Sequence, residues 1–432
     1  MVNHRVISMG LLGITGLRAL DNGLARSPPL GWRPWNCYLG DVYSERLRDV
    51  IDAVVDRSRA VNGVPTSLAD LGFGDVGVDD GWQACGTGPH GSFHADNGSL
   101  LVNFTRFPGG FKPLVDYAHA RGVKMTFYVT NCICMDEYII QGVGVPGGVD
   151  PAWAERCYTG DIALARASGF DNIMIDNCGD DWGRGYVSRM QHIATSGPPM
   201  VVENSNQANG VGPPRGLPND PSGWCNFNTF RTDGDLFANF GQVLASALTV
   251  TQFQNLTNPI SRPGCWAYPD MLQVGNFGGP LNLAESRSHF GIWAIISSPL
   301  FLSFDLRDRS LVNSLWEIVT NTEVIAVNQG WFGHPGRLII DDEQHQVWAK
   351  LQEAGSEAVL VVNKGSATAS FTVTLTQLGL PASVAARDLW AHKNLGVIGT
   401  SINLTLGAHE SAFYMLHPPP VGQYRDDTSR KR

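Results

Sequence analysis

Charged residues are scarce in this chain of 432 residues, where they make up 16% of the sequence. An average soluble domain has about 25%. Acidic residues outnumber basic ones by 40 to 31, which gives a net charge of −9. Because such a surface offers little to neutralise a phosphate backbone, we expect no nucleic acid partner.

Several motifs of common enzyme classes are also absent. No G-x-G-x-x-G run directly follows a strand-like segment, no Walker lysine motif occurs and no G-x-S-x-G elbow is present. These absences disfavour nicotinamide, nucleotide and serine-hydrolase functions. No histidine cluster accompanies the cysteines at zinc-finger spacing and no D-x-D-x-D-G loop exists, so we expect neither a metal nor a cofactor.

The amino terminus contains an uncharged, mostly apolar run. Arg5 precedes an apolar run from Val6 to Leu17, and small residues follow at Ala19 and Ala25. The run is shorter than the roughly 20 residues needed to span a bilayer, and its layout is typical of a secretory signal. We predict a signal peptide over residues 1–25, with a buried amino-terminal helix as the alternative. The mature chain is then secreted, or lysosomal or vacuolar by way of the secretory pathway, with no membrane segment.

Cysteine usage agrees with export. The chain has eight cysteines, which in an exported protein form disulfides more often than metal sites. The sequence leaves their pairing open. Four N-x-S/T sequons favour a glycosylated product; they lie at Asn97, Asn103, Asn255 and Asn403.

Strand-like runs alternate with helical patterns over the first three quarters of the chain. This alternation predicts parallel β-α units, and their number favours a (β/α)8 TIM barrel over residues 26–329. From residue 330 to 418 the pattern changes to strands and turns, which predicts a carboxy-terminal antiparallel β-sandwich. Residues 419–432 form a polar tail that we expect to be disordered.

Acidic residues follow several of the strand-like runs. In a β/α barrel the functional site lies at the carboxyl ends of the strands, so these carboxylates should meet on one rim. Clustered carboxylates bind a hard cation or perform acid-base and nucleophilic chemistry on sugars. Interleaved tryptophans favour sugars, whose apolar faces stack on aromatic rings. The carboxylates are Asp79, Asp80, Asp176, Glu203, Asp233, Asp235 and Asp270.

These residues belong to a series of ordered motifs that resembles glycoside hydrolase family 27, the family of α-galactosidases and α-N-acetylgalactosaminidases. The resemblance covers nearly the whole mature chain and implies a (β/α)8 barrel followed by an antiparallel β-domain. It also implies retention of anomeric configuration, with two carboxyl groups about 5–5.5 Å apart. The motifs are PPLGWRPWNCY (28–38), VDDGWQ (78–83), FPGGFKPLVDYAHARGVKMTFY (107–128), IDNCG (175–179), FRTDGD (230–235), PDMLQVGN (269–276), HFGIWAIISSPLFLSFDLR (289–307), EVIAVNQ (323–329) and DLWAHKNLG (388–396).

The resemblance assigns roles to individual residues. Asp176 matches the carboxylate that attacks the anomeric carbon, and Asp235, four residues after Arg231, matches the general acid/base. The remaining matches are sugar contacts. They are Asp79 and Asp80 at the ring hydroxyls, Tyr128 and Arg231 as further polar contacts, and Trp32 as an aromatic wall.

Some positions depart from the family pattern. Met174 stands where the family has a lysine that donates to galactose hydroxyls, and a thioether cannot donate. Tyr268 replaces an acidic residue, and Gly81 replaces a cysteine. Glu203 lies in the region that recognises the 2-substituent of the sugar, where a carboxylate suits a hydroxyl better than an acetamido group.

We therefore expect a retaining glycosidase that cleaves terminal α-D-galactosyl residues from galactosides, oligosaccharides or glycoconjugates. Met174 keeps a changed sugar specificity open, for a β-L-arabinopyranoside or an α-glucan. A catalytically inactive sugar-binding module is the alternative from another class. The sequence also leaves a homodimer open.

Overall fold

The structure, a computed structural model, describes residues 20, 22–130, 133–134, 151–176, 186–205, 225–254, 257, 259–276 and 281–418. The predicted tail, residues 419–432, and most of the predicted signal peptide lie outside the described residues. Leu20 and Asn22, however, are tied to the barrel, although both fall within the predicted signal. The Leu20 amide donates to the carbonyl of Cys225 at 2.6 Å, and the Asn22 side chain donates to the carbonyl of Met200 at 2.8 Å.

Eight parallel strands curl into a barrel, in the order β10-β1-β4-β5-β6-β7-β8-β9. The first strand therefore pairs with the last, as a closed barrel requires. Between β9 and β10 the amide of Leu272 donates to the carbonyl of Phe301 at 2.9 Å. A short hairpin of β2 (Ala60–Val61) and β3 (Val64–Pro65) precedes β4. The barrel strands are β1 Leu30–Trp32, β4 Asp75–Gly77, β5 Lys124–Val129, β6 Asn172–Ile175, β7 Val201–Asn204, β8 Thr229–Arg231, β9 Trp266–Tyr268 and β10 Leu300–Leu302.

Helices alternate with these strands and pack their apolar residues against the outside of the barrel. Several begin at polar caps that accept from the first backbone amides. Asn282 and Glu285 form a capping box on α7, and the Asp308 carboxylate caps α8. The helices are α1 Trp35–Tyr38, α2 Ser44–Val54, α3 Lys112–His119, α4 Pro151–Ser168, α5 Tyr186–Thr195, α6 Phe240–Thr249, α7 Leu283–Ile295, α8 Arg309–Val319 and α9 Thr322–Gln329.

A domain of antiparallel strands follows α9. A six-stranded sheet, in the order β11-β12-β13-β18-β15-β16, faces a two-stranded sheet of β14 and β17 across an apolar core. The outer face of the six-stranded sheet packs against α7. There the backbone of Gly291 lies close to the side chains of Trp390 and Leu360. The predicted fold, a barrel followed by an antiparallel β-sandwich, is confirmed. The strands are β11 Arg337–Asp341, β12 His345–Leu351, β13 Glu357–Asn363, β14 Ala369–Thr374, β15 Val384–Asp388, β16 Lys393–Ile398, β17 Ser401–Leu406 and β18 Ser411–His417.

Two properties of the described residues concern membranes and metal ions. None of their helices is both long and apolar enough to cross a membrane. Within the same ranges, no group of three or more His, Cys, Asp and Glu side chains is arranged to hold a metal ion.

Candidate active site

Carboxylates lie just beyond the carboxyl ends of three barrel strands. Asp79 and Asp80 follow β4, Asp176 directly follows β6, and Asp235 lies four residues after the end of β8. The carboxyl ends of all strands in a parallel barrel open on the same rim. The predicted catalytic and sugar-binding carboxylates therefore share one face of the barrel.

Tyr128 connects carboxylates from two strands. It lies on β5, between β4 and β6, and its hydroxyl donates to Oδ2 of Asp176 at 2.7 Å. The same hydroxyl lies 3.3 Å from Oδ2 of Asp80. Burial and the charges of Asp176 and Asp80 raise the pKa of Tyr128 well above its ordinary value, so the phenol stays protonated. A hydrogen bond from this donor favours the ionised form of Asp176.

Arg231 supplies the positive charge of the cluster. Its Nη1 lies 3.2 Å from Oδ1 of Asp235 and 3.5 Å from Oδ1 of Asp270. Burial opposes the charge on this guanidinium, but Asp270, Asp176 and Asp235 outweigh burial and raise its pKa. Arg231 therefore interacts electrostatically with both predicted catalytic carboxylates.

Asp270 fixes the loop that carries Asp235. Its Oδ2 accepts from the backbone amide of Leu236 at 2.7 Å, and its Oδ1 accepts from the amide of Met271 at 2.7 Å. Burial raises the pKa of Asp270 to about 6, against the opposing charge of Arg231. The sequence marks Asp270 as a carboxylate near a strand but gives it no role, which its backbone contacts now supply.

Asp79 and Asp80 are strongly affected by burial and by neighbouring negative charge. Burial, then Asp80 and Asp176, raise the pKa of Asp79 well above its ordinary value. Burial and the charge of Asp176 raise the pKa of Asp80 to about 7. Near neutral pH this pair therefore holds protons and can both donate to and accept from sugar hydroxyls.

Met174 and Glu203 lie in the same layer of the barrel interior. Tyr128, Met174 and Glu203 are register partners on three adjacent strands, and register partners point to the same face of a sheet. Met174 is also two residues before Asp176, which places both side chains on that face. Met174 is thus directed into the barrel interior, below Asp176, the predicted nucleophile.

Glu203 is held by protein groups. Its Oε1 accepts from the hydroxyl of Tyr268 at 2.8 Å, and its Oε2 accepts from Nη2 of Arg33 at 3.0 Å. The side chain is almost completely buried. Tyr268, which replaces an acidic residue of the family, is therefore a donor to the carboxylate predicted to contact the sugar.

Arg33 is a buried cation to which the sequence gives no role. It follows β1, pairs with Asp75 and Glu203 at 3.0 Å each, and lies over the ring of Phe301 at 4.1 Å. Burial would lower its pKa, but the two carboxylates outweigh burial and raise it. Its charge also acts on Asp79. In the sequence, Arg33 could be recognised only as a single arginine within a stretch of apolar and aromatic residues.

The structure does not bring Trp32 to the carboxylate cluster. Its indole is fully buried in the main hydrophobic core, where the ring packs beside Tyr38 and the N–H donates to the carbonyl of Phe304 at 2.8 Å. A ring whose faces and donor are both occupied by the protein offers no wall to a sugar. Trp35, which is partly exposed, packs against a small cluster of Tyr268, Met271 and Phe301 instead.

Two disulfides lie near the barrel ends in the described residues. Cys85 pairs with Cys134, and Cys225 pairs with Cys265. Cys37 is a buried free thiol, whereas Cys132 and Cys178 lie outside the described residues. The expectation of disulfides is therefore confirmed for two pairs.

Comparison with known families gives a match over both domains. A family model described as "Alpha galactosidase A" matches residues 27–330. A second model, described as "Alpha galactosidase C-terminal beta sandwich domain", matches residues 342–416. Together the two models cover the barrel and most of the sandwich.

Individual relatives cover nearly the whole chain. An α-galactosidase of Oryza sativa subsp. japonica is 32% identical over 407 residues, which is 93% of this chain and 87% of the relative. An α-N-acetylgalactosaminidase of Gallus gallus is 29% identical over 93% of this chain and 95% of its own. Among solved structures, α-galactosidase I from Mortierella vinacea superposes with a TM-score of 0.71 at 26% identity, covering 92% of this chain and 98% of that one.

Proposed function

Because the chain belongs to the α-galactosidase A family, known as glycoside hydrolase family 27, we propose that it removes terminal α-D-galactosyl residues with retention of anomeric configuration. It is a glycosidase, and its substrate is a carbohydrate. The arrangement of Asp176, Asp235 and Arg231 at the carboxyl end of the barrel carries this proposal, since one buried cation pairs with Asp235 and interacts electrostatically with Asp176.

In the first step, the Asp176 carboxylate attacks the anomeric carbon and the bond to the leaving oxygen breaks. Asp235 gives that oxygen its proton. In the second step, Asp235 takes a proton from water, the water oxygen attacks the anomeric carbon, and the ester to Asp176 breaks. Asp176 is suited to attack because Tyr128 donates to it. Asp235 is suited to proton transfer because nearly half of its side chain is exposed, on the side where a leaving group must depart.

The sugar is held by the groups around these two carboxylates. Asp79, Asp80 and Tyr128 offer donors and acceptors to ring hydroxyls, and Arg231 offers a charged donor. Met174 contributes an apolar contact where the family has a lysine. Trp35 takes the place of Trp32 as the proposed aromatic contact, because its ring is partly exposed and packs beside Met271.

Glu203 supports a galactoside over its 2-acetamido analogue. Its carboxylate accepts from Arg33 and Tyr268, so a ligand near it meets an acceptor already fixed in direction. A hydroxyl can donate to such an acceptor, whereas an acetamido group brings a carbonyl acceptor together with its one N–H donor and is therefore the poorer match.

Hydrolysis of a panel of p-nitrophenyl glycosides tests this function. We expect the highest kcat/KM on the α-D-galactoside and a fall of at least about 10⁴-fold for Asp176→Asn, since an amide cannot form the glycosyl ester. Asp235→Asn should slow poor leaving groups more than activated aryl ones. Asp116→Asn, at an exposed carboxylate that pairs with Lys112 on α3, is the matched control and should keep wild-type rates.

Other outcomes of the panel would replace the proposal. A preference for the β-L-arabinopyranoside or the α-D-glucoside would show that the pocket around Met174 serves another sugar. Binding of sugars without turnover of any glycoside would identify an inactive sugar-binding module. Wild-type rates for Asp176→Asn would remove this residue as the nucleophile.

We further propose export through the secretory pathway, with cleavage just after Ala19. The two disulfides support an oxidising compartment, and the contacts of Leu20 and Asn22 with the barrel support retention of both residues. Mass spectrometry of the native protein should find Leu20 at the amino terminus. An intact Met1 would contradict export, and a first residue after Asn22 would contradict the proposed cleavage site.

A further inference from the structure

An exposed aromatic ring lies next to the proposed acid/base. Three consecutive residues after β8 alternate in exposure: the Asp235 side chain is 47% exposed, Leu236 is 3% exposed and Phe237 is 66% exposed. The two exposed side chains flank a buried one, so both are directed away from the core and toward solvent. Asp235 and Phe237 therefore face the same side of the loop, with Leu236 anchored in the core between them.

The backbone of this segment is held at both ends. The Leu236 amide donates to Asp270 and its carbonyl accepts from the Gln273 side chain. The carbonyl of Phe237 accepts from the amide of Asn239 at 2.7 Å, and the Asn239 side chain caps α6. The ring of Phe237 is thus presented on a fixed loop, although exposing a large apolar ring is unfavourable in water.

We propose that Phe237 is a binding platform for the ring that follows the galactosyl residue of the substrate. This inference rests on the proposed role of Asp235, because a general acid must lie beside the leaving oxygen. The group attached to that oxygen then leaves the site past Asp235, on the side that Phe237 faces. A phenyl ring offers no hydrogen bond, so it selects for a flat or apolar ring face, either of a second sugar or of an aryl group.

Kinetics of Phe237→Ala on substrates with and without a leaving-group ring test this inference. On an α-galactosyl disaccharide and on p-nitrophenyl α-galactoside we expect kcat/KM to fall about 3- to 10-fold, mainly through KM. On α-galactosyl fluoride, whose leaving group has no ring, kcat/KM should stay within about twofold of wild type. A fall on the disaccharide alone assigns the platform to a second sugar, and a fall on the aryl substrate alone assigns it to an aryl group.

Phe237→Trp and Phe332→Ala complete the set. The tryptophan variant keeps a flat ring, so its kcat/KM on the ring-bearing substrates should equal or exceed that of wild type. Phe332 is also an exposed phenylalanine, at 38%, and follows Trp331, which packs against Trp266 at the amino end of β9. It therefore lies at the opposite end of the barrel, and Phe332→Ala should match wild type on all three substrates.

Two results would overturn the platform. One is an equal loss for Phe237→Ala on the fluoride and on the ring-bearing substrates, which would indicate damage to the acid/base loop. The other is wild-type kinetics on all three. A separate result would show that Asp235 is not the general acid. In that case Asp235→Asn would hydrolyse the disaccharide at the wild-type rate, whatever the effect of Phe237→Ala.

Discussion

The interiors of the barrel and of the sandwich contain opposite kinds of residue. Inside the barrel, Arg33 pairs with two carboxylates, Tyr268 donates to Glu203 and Thr126 donates to Asp75. Between the sheets of the sandwich the core cluster is apolar or aromatic, and the buried polar residues Glu357 and Asn363 stand at the two ends of β13. The cluster includes Val347, Ala349, Val359, Val361, Phe371, Val373, Ile402, Tyr414 and Leu416.

The two domains therefore use their interiors differently: the barrel interior holds charges near the proposed site, and the sandwich core contributes stability. An unpaired buried ion costs several kcal/mol, so charges persist in the barrel only where partners and hydrogen bonds compensate them. The resulting network lies in the barrel interior, and the charge of Arg33 reaches Asp79 at the rim. The sandwich has no such demand, and apolar burial there contributes stability.

The largest effect that would test this comparison is the loss of the interior cation. Arg33→Met removes one charge and leaves Asp75 and Glu203 buried together, which should destabilise the protein by about 3–5 kcal/mol and impair turnover. Thermal unfolding and kcat/KM on the aryl galactoside measure both changes. Arg33→Lys keeps the charge and should recover part of each. A fully stable and active Arg33→Met would show that the network does not organise the site.

The complementary change removes apolar volume from the sandwich. Leu416 is completely buried on β18, and Leu416→Ala should lower the free energy of unfolding by about 2–5 kcal/mol with kcat unchanged at temperatures where the protein is folded. Leu395, exposed on β16, is a matched control whose alanine variant should keep wild-type stability. A reduced kcat for folded Leu416→Ala would mean that the two interiors are coupled.

The third effect is the change in the free energy of unfolding with pH that Asp80 causes. The pKa of Asp80 is about 7 in the folded protein against an ordinary value of 3.8, so the folded state binds this proton more tightly than the unfolded state. Its stabilisation is complete below pH 3.8 and is lost as the pH rises through 7. Asp80→Asn cannot ionise, so between pH 4 and 8 its free energy of unfolding should fall less than that of wild type, by up to about 4 kcal/mol, and its Tm should fall correspondingly less.

Parallel Tm curves for Asp80→Asn and wild type would contradict this pKa. Gln83 and Tyr128 also contact the Asp80 carboxylate and oppose the shift. The Gln83→Ala variant, which removes one of these donors, should therefore steepen the loss of stability with rising pH. Asp116→Asn, at an exposed carboxylate, should follow wild type.

The smallest expected effect comes from Met174→Lys. If galactose is the substrate, the new cation gains charge-assisted hydrogen bonds to its hydroxyls, and kcat/KM on aryl α-galactosides should rise about tenfold. A sugar that lacks the corresponding hydroxyl would instead leave a buried ammonium without that partner. A lower kcat/KM on galactosides would therefore argue for a changed specificity, and Met174→Leu is the isosteric control.

The sequence alone predicts the fold because several of its strands lie in runs of apolar residues that stand out between helical patterns. β5 has six residues, most of them apolar or aromatic, and β10, although only three residues long, opens the longer apolar stretch 300–304. β8 and β9 escape the hydrophobic pattern, because three-residue strands such as TFR and WAY carry no periodicity. The family motifs predict Asp176 and Asp235 as catalytic residues, and both follow barrel strands. They also predict an aromatic wall at Trp32, which is instead buried in the core, because a tryptophan in a motif can equally fill the core.

Interior contacts are the part that local sequence does not predict. Arg33 meets Glu203 across 170 residues of chain, and only the closed barrel brings them together. Gly81 is a second example, because its φ of +100° and the nearby carbonyl oxygen of Gly40 leave no room for a Cβ. The family cysteine cannot be accommodated in this backbone, and that exclusion depends on a neighbouring loop.

The most direct test of the central claim is covalent trapping at the proposed nucleophile. A fluorinated α-galactosyl fluoride that forms the glycosyl-enzyme ester but hydrolyses slowly should inactivate the protein with one sugar bound per chain. Peptide mass spectrometry should then place that sugar on Asp176, and Asp176→Asn should remain unlabelled. A label on any other residue of an active preparation, or rapid turnover of aryl α-galactosides by Asp176→Asn, would contradict the account.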